Sequence, residues 1–296
     1  MEPRRLLYPS ASLKALVRAW NRFWFRPEPT STLALFRIVV GLVTVAWTLV
    51  LSKDFDAFFG HQGAAAGPRP APLLAGLLLL GAVCLTLGFR SRLAAAAVLF
   101  CMLVLYRTDL NVWNTGDALL RHLVLFLMLA PAGAAVSIDS ARRGRQWEFP
   151  LRAPWALRLV QIQVALMYVV SFWYKLKGST WRAGTAVSYV LRIGPDQRFA
   201  LPPAITTSVT WAHVFTWGTL AIEAAIPLLV WNRRTRPYVL ALGALLHLSI
   251  DLTLRTGFFS WIVLASYVAF VPPETAERFL LRFRSQRYST LGPGRR

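Results

Sequence analysis

Residues 155–184 read WALRLVQIQVALMYVVSFWYKLKGSTWRAG. From Trp155 to Tyr174 the run is apolar apart from Arg158, Gln161, Gln163 and Ser171, and neither proline nor glycine interrupts it. A hydrocarbon layer about 30 Å thick is crossed by about 20 helical residues, so this run has the length and character of a membrane span. Its end is abrupt: Lys175 and Lys177 follow directly, then Gly178, Trp181 and Gly184. A lysine at a helix end ordinarily reaches out to the interface. One held inside the apolar boundary is costly and marks a working site. Lys175 therefore has two readings, a boundary charge or a functional base.

The rest of the chain repeats the pattern. Over 296 residues the composition is 56% hydrophobic and only 16% charged, with mean hydropathy +0.47. Soluble domains carry about 25% charged residues. Apolar spans are expected at 32–52, 72–89, 92–106, 118–131, 155–174, 209–231, 237–254 and 258–271. The expected fold is all-α: a polytopic helical membrane protein with about eight transmembrane helices, the short third and fourth runs being open to a partly re-entrant path. Residues 31–272 form the expected transmembrane domain, between a basic N-terminal flank, 1–30, and a basic cytoplasmic tail, 273–296. In the flank, Lys14, Arg18, Arg22 and Arg26 recur every fourth residue, and Leu13, Leu16, Val17, Trp20, Phe23 and Trp24 fall largely opposite them. That spacing predicts an N-terminal amphipathic helix on the membrane interface. The first 30 residues have no contiguous apolar core, so a cleavable signal is not expected.

A formal net charge of +20 raises the question of nucleic acid. The arginines, however, sit in short loops between apolar runs, and no nucleic-acid motif accompanies them, so the expected partner is the lipid bilayer. With the N-terminus assigned to the cytoplasm, 21 of the 33 Lys and Arg fall on that side and nine on the other, while Arg37, Arg121 and Arg158 lie within spans. This asymmetry follows the positive-inside rule and predicts a multi-pass protein of the cell inner (plasma) membrane with both termini cytoplasmic.

Five of the nine external charges belong to residues 175–208, where Gly178, Gly184, Pro195, Pro202 and Pro203 exclude one continuous helix. A long, basic, aromatic loop of this kind suits a lid or substrate platform. By the same topology Lys175, Asp109, Asp117, Asp251 and Arg255 approach the external side, with His247 about one turn deeper. His247 and Asp251 are four apart and share a helix face. Glu223 lies mid-span, one turn before Pro227. The candidate catalytic residues are Lys175 as base, His247 and Asp251. The candidate substrate-binding residues are Trp173, Trp181, Arg255 and Glu223. The sequence contains no HxxxH, HExxH, phosphate loop, GxSxG or Cys–His pair, so no metal is expected. Cys84 and Cys101 lie in apolar runs and read as small hydrophobes.

Four stretches carry a family resemblance: LALFRIVVGL at 33–42, NTGDALLRHLVLFLMLAPAGAAVSID at 114–139, QIQVALMYVVSFWYKLKGSTWRAGTAVSYVL at 161–191 and HLSIDLTLRTGFFSWIVLASYVAF at 247–270. Together they resemble the HTTM domain, the membrane domain of the vitamin K-dependent gamma-carboxylase family and its bacterial relatives, over roughly residues 30–272. The YKLKGSTWRAGTA block is the most specific part.

The resemblance implies chemistry on a reduced quinone, vitamin K or menaquinone, whose oxidation to an epoxide drives proton abstraction from a glutamate that then takes up CO2. By motif position Lys175 looks like the family's base or its trigger, and His247 like a histidine bordering the quinone site. Two features depart from the carboxylases. Gly116 stands where they use a histidine, and after Pro273 only a short basic segment remains where they carry a large β-rich domain for a peptide substrate. Three readings follow: a quinol oxygenase or carboxylase-related enzyme, a non-enzymatic accessory or maturation factor, and a small-molecule carrier.

Overall fold

Helix boundaries follow local chemistry throughout. In the computed structural model, which describes residues 11–53, 71–107 and 114–289, the first long helix begins where Thr30 O accepts from Ala34 N at 2.9 Å. The 114–117 turn closes as a reciprocal capping box between Asn114 and Asp117. Ser208 caps the Val209–Leu229 helix by accepting from Trp211 N, and Gly178 ends the Trp155–Lys177 helix in extended backbone.

The described residues contain fourteen α-helices. They are α1 (Ala11–Phe25), α2 (Ser31–Lys53), α3 (Ala71–Leu87), α4 (Ser91–Tyr106), α5 (Thr115–Leu129), α6 (Ile138–Ala141) and α7 (Trp155–Lys177), then α8 (Ser179–Arg182), α9 (Ala186–Val190), α10 (Pro203–Thr206), α11 (Val209–Leu229), α12 (Arg236–Thr253), α13 (Phe259–Tyr267) and α14 (Pro273–Ser289). Among the described residues the strand content is one two-residue pair, β1 (Glu28–Pro29) antiparallel to β2 (Leu151–Arg152).

Three helices, α2, α7 and α11, are long and apolar enough to cross a membrane unaided. Leu73–Leu87, Ser91–Tyr106 and Phe259–Phe270 are apolar but shorter. Of the roughly eight spans expected, these three reach spanning length and apolarity by themselves, and the reasons are local. The fourth run is a 15-residue helix holding Asp117, Arg121 and His122. The seventh, α12, carries Arg236, His247 and Asp251 within 18 residues. The third and fourth runs are nonetheless single unbroken helices.

Connections gather at two ends. At one end β1 pairs with β2, Arg90 N donates to Asp139 at 3.0 Å, Arg158 bonds Phe23 O and Glu28, and Arg236 bonds Phe270 O. At the other, Gln197 bridges Leu254 and a glycine, Gly116, faces Phe259. The first end collects the arginine-bearing segments that the charge asymmetry assigned to one side. α1 carries Lys14, Arg18 and Arg22 of the expected amphipathic helix, and Leu13, Leu16, Val17 and Trp20 along it remain exposed. Inside the tail segment 273–296, α14 docks on α2 with Ala276 and Leu280 buried, and Ser31 Oγ donates to Pro273 O.

Arg37 is the largest fully buried side chain. Its guanidinium donates to Ala132 O (2.8 Å), Ala135 O (3.2 Å) and Val136 O (2.6 Å), so it folds the 131–136 turn onto α2. Gly88 lies against it with φ +71°, where a Cβ would run into Arg37 and Ser137.

Candidate functional site

One stripe of α7 carries a row of polar groups into the bundle interior. Gln161, Tyr168, Ser171 and Lys175 follow at spacings of seven, three and four, which keep them on one helix face. Gln161 donates to Ala269 O at 2.7 Å, an anchor to the turn after α13. Two turns further along the stripe, the chemistry begins.

The Tyr168 hydroxyl lies 2.7 Å from His247 Nε2 and also bonds the Tyr267 hydroxyl. All three residues are buried, and they come from α7, α12 and α13. The ring nitrogen and the two hydroxyls can each donate or accept, so the chain of bonds can run in either direction. His247 Nδ1 is buried with no hydrogen-bond partner among the described residues. This junction depends on Gly243, one turn before His247 on α12. A Cβ there would collide with the Tyr267 hydroxyl, so only glycine lets α13 bring that oxygen to Tyr168.

Two turns beyond Tyr168, Lys175 Nζ pairs with the Glu223 carboxylate of α11 and donates to Ser171 Oγ at 3.1 Å. Ser171 Oγ lies 3.2 Å from each Glu223 oxygen, so it can donate to that carboxylate. Glu223 has 7% of its side chain exposed and Lys175 has 24%, so the carboxylate is sealed in and the ammonium keeps a path outward. Pro227, lacking an N–H, leaves the Glu223 carbonyl without its usual intrahelical donor and loosens α11 at this level. Trp181 of α8 covers Lys175, its ring centroid 4.9 Å from Nζ. Gly184 (φ +77°) turns the chain back over the stacked rings of His213 and Trp217, where a Cβ would collide.

The structure therefore brings together Lys175, Glu223, Trp181 and His247, and separates the other candidates from them. Asp251 shares the His247 face of α12 but belongs to a loop anchor: Arg198 bonds its carboxylate at 3.3 Å and its carbonyl at 2.5 Å. Arg255 is exposed and makes no ion pair with the described residues. Trp173 is 58% exposed and lies under Lys177, 5.3 Å from Nζ, so it faces away from Lys175. Asp117 completes the α5 cap and accepts from Trp47 Nε1 at 2.8 Å; Asp109 lies outside the described residues. Sequence reasoning missed Tyr168, Ser171 and Tyr267. The first two were findable, as they share the Lys175 stripe at helical spacing.

Gly116 permits a close crossing. A Cβ there would come within 2.8 Å of Phe259 Cα, so α5 and α13 meet backbone to backbone and no histidine fits between them. No solved structure is detectably similar to the chain. The family model that matches is that of the HTTM domain, over residues 69–274, a match that begins after α2. Because that region is most of the chain and includes Lys175, Glu223, Gly243 and His247, the protein belongs to the HTTM domain family.

Proposed function

We propose that this chain is a plasma-membrane protein of about eight spans, both termini cytoplasmic, that handles protons for a lipid-soluble quinol and oxidises it in the manner of the vitamin K-dependent carboxylases. One observation carries the reading: a lysine paired with a buried glutamate in an apolar bundle, set two turns along α7 from a Tyr–His–Tyr hydrogen-bond chain. Ionisable groups at such depth are expensive and mark functional sites. Transfer of one proton from the Lys175 ammonium to the Glu223 carboxylate leaves a neutral amine that can take a hydroxyl proton. Ser171 bridges the two groups, and Trp181 shields the amine from water.

These side chains suit a ligand bearing phenolic oxygens. Lys175 supplies a donor, and His247 Nδ1 is a buried polar atom awaiting a partner. A reduced quinone bound there would supply the electrons that, with O2, yield its own epoxide and one water. The test is epoxide formation by purified protein given reduced menaquinone or vitamin K under oxygen. Product from wild type and none from Lys175→Ala is expected. No product, or equal product from the variant, overturns the enzymatic reading.

A second reading, a non-enzymatic accessory factor or carrier, draws on the same pair taken as a cross-link. Glu223 already neutralises Lys175 and ties α11 to α7. It predicts that stability changes in the Lys175 variant while no epoxide forms in either protein.

A further inference from the structure

At the opposite end of the bundle, a cavity of about 600 Å³ opens between the start of α4 and the 131–152 segment. Five arginines line it: Arg90, Arg92, Arg143, Arg145 and Arg152. The acids on its wall are Asp139 and Glu148. Both are engaged, Asp139 by the backbone N–H groups of Arg90 and Ser91, and Glu148 by Arg145 at 3.7 Å. Arg37 lies behind this wall with its charge fully buried, bonded to carbonyls alone among the described residues. The cavity is thus strongly positive.

The positive-inside rule accounts for arginines in these loops, but not for their convergence on one concavity. The backbone holds that convergence in place at a cost. Arg90 (φ 43°) and Val136 (φ 44°) are left-handed without being glycine, a conformation worth about 1 kcal/mol or more per residue. Arg92 Nε reaches Ala130 O at 3.2 Å and Arg143 Nη2 reaches Gly133 O at 3.2 Å. Each guanidinium spends one donor on the loop and retains others for a ligand. A separate sign comes from Ser91, which is 3% exposed on the cavity wall with its Oγ lacking any hydrogen-bond partner among the described residues. It lies in the first turn of the 16-residue α4, an anion-favouring end whose Arg90 and Ser91 N–H groups Asp139 already engages.

We infer that this cavity binds a phosphate group, with the arginine forks and the Ser91 hydroxyl holding its oxygens. Exposed Leu93 on the rim offers an apolar wall for acyl chains, which favours an anionic phospholipid as the source. Inorganic phosphate offers the same oxyanion chemistry. The proposal is independent of the quinol reading, because no residue is shared with the Lys175 site.

The test uses the full chain purified in detergent. Native mass spectrometry measures retention of phosphatidylglycerol against phosphatidylcholine, and calorimetry measures binding of inorganic phosphate. One phosphatidylglycerol per chain is expected, with affinity falling roughly tenfold in Arg92→Gln/Arg143→Gln, as loss of charged hydrogen bonds predicts. Arg145→Gln/Arg152→Gln removes two charges without touching Ala130 or Gly133, and should weaken binding in the same direction should the first pair disturb folding. Arg142→Gln/Arg233→Gln removes the same charge outside the cavity and should change nothing. Phosphate binding with this variant pattern, but no lipid preference, would keep the site and assign it a soluble source. Binding of both ligands that falls no further in the cavity variants than in the control overturns it.

Discussion

The Tyr168 hydroxyl, on α7, lies 2.7 Å from His247 Nε2, on α12, and reaches Tyr267 on α13 as well. A single side chain therefore joins three helices inside the bundle. The arrangement rests on an absence, the missing Cβ of Gly243, since that is the space the Tyr267 hydroxyl occupies.

Gly243→Ala should accordingly destabilise the protein by about 1–3 kcal/mol through overpacking. Adding Tyr267→Phe removes the oxygen that the new methyl strikes and should recover part of the loss. Unfolding in detergent, followed for the two singles and the double, measures the coupling. An additive double variant would show that the collision is not what sets the cost.

Lys175→Met leaves Glu223 charged and sealed from water, and should cost up to about 3–5 kcal/mol. Glu223→Leu strands the lysine, which is partly open, and should cost less. The double variant should be more stable than Lys175→Met alone, because well-packed apolar groups replace a buried pair at little net loss. A double-mutant cycle on thermal unfolding reads this directly.

Arg37→Met should rank among the most damaging single changes, since it leaves the carbonyls of Ala132, Ala135 and Val136 without their donor at about 1–3 kcal/mol each. Arg37→Lys should rescue little, because an ammonium lacks the planar fork that reaches several carbonyls at once. Expression level and unfolding temperature separate the two variants.

Asp251→Asn should leave epoxide formation and global stability nearly unchanged while raising hydrogen exchange in residues 194–198. The Arg198–Asp251 pair is partly exposed and worth about 0–1 kcal/mol. Loss of product in this variant would return Asp251 to the site.

Trp181→Ala should reduce Lys175-dependent turnover several-fold, whereas Trp173→Ala should leave it intact, since only the former ring covers Nζ. Steady-state rates with the same quinol decide between them.

Much of this molecule is legible along the chain, because membrane helices announce themselves locally. Apolar length, glycine and proline at the breaks, and the every-fourth-residue arginines of α1 require no knowledge of neighbours. The fracture of residues 175–206 into short helices also follows from Gly178, Gly184 and Pro202. The grouping of arginine loops at one end was expected from charge asymmetry, and the contacts among 28–29, 90–92, 139 and 151–152 agree with it.

Other features depended on which helix lies beside which. Spacing alone put His247 and Asp251 on one face, yet the first turns to Tyr168 and the second to Arg198, because a helix face meets different neighbours along its length. Whether Lys175 was a boundary charge or an interior one could not be read from SFWYKLKGSTWRAG. The residue that answers it, Glu223, is 48 positions away on α11. The sequence by itself determined a helical membrane protein with a lysine poised at the end of a span, since hydrophobicity and charge act residue by residue. Only the tertiary structure decided that this lysine is paired inside the bundle, because a buried ion is defined by the partner that packing brings to it.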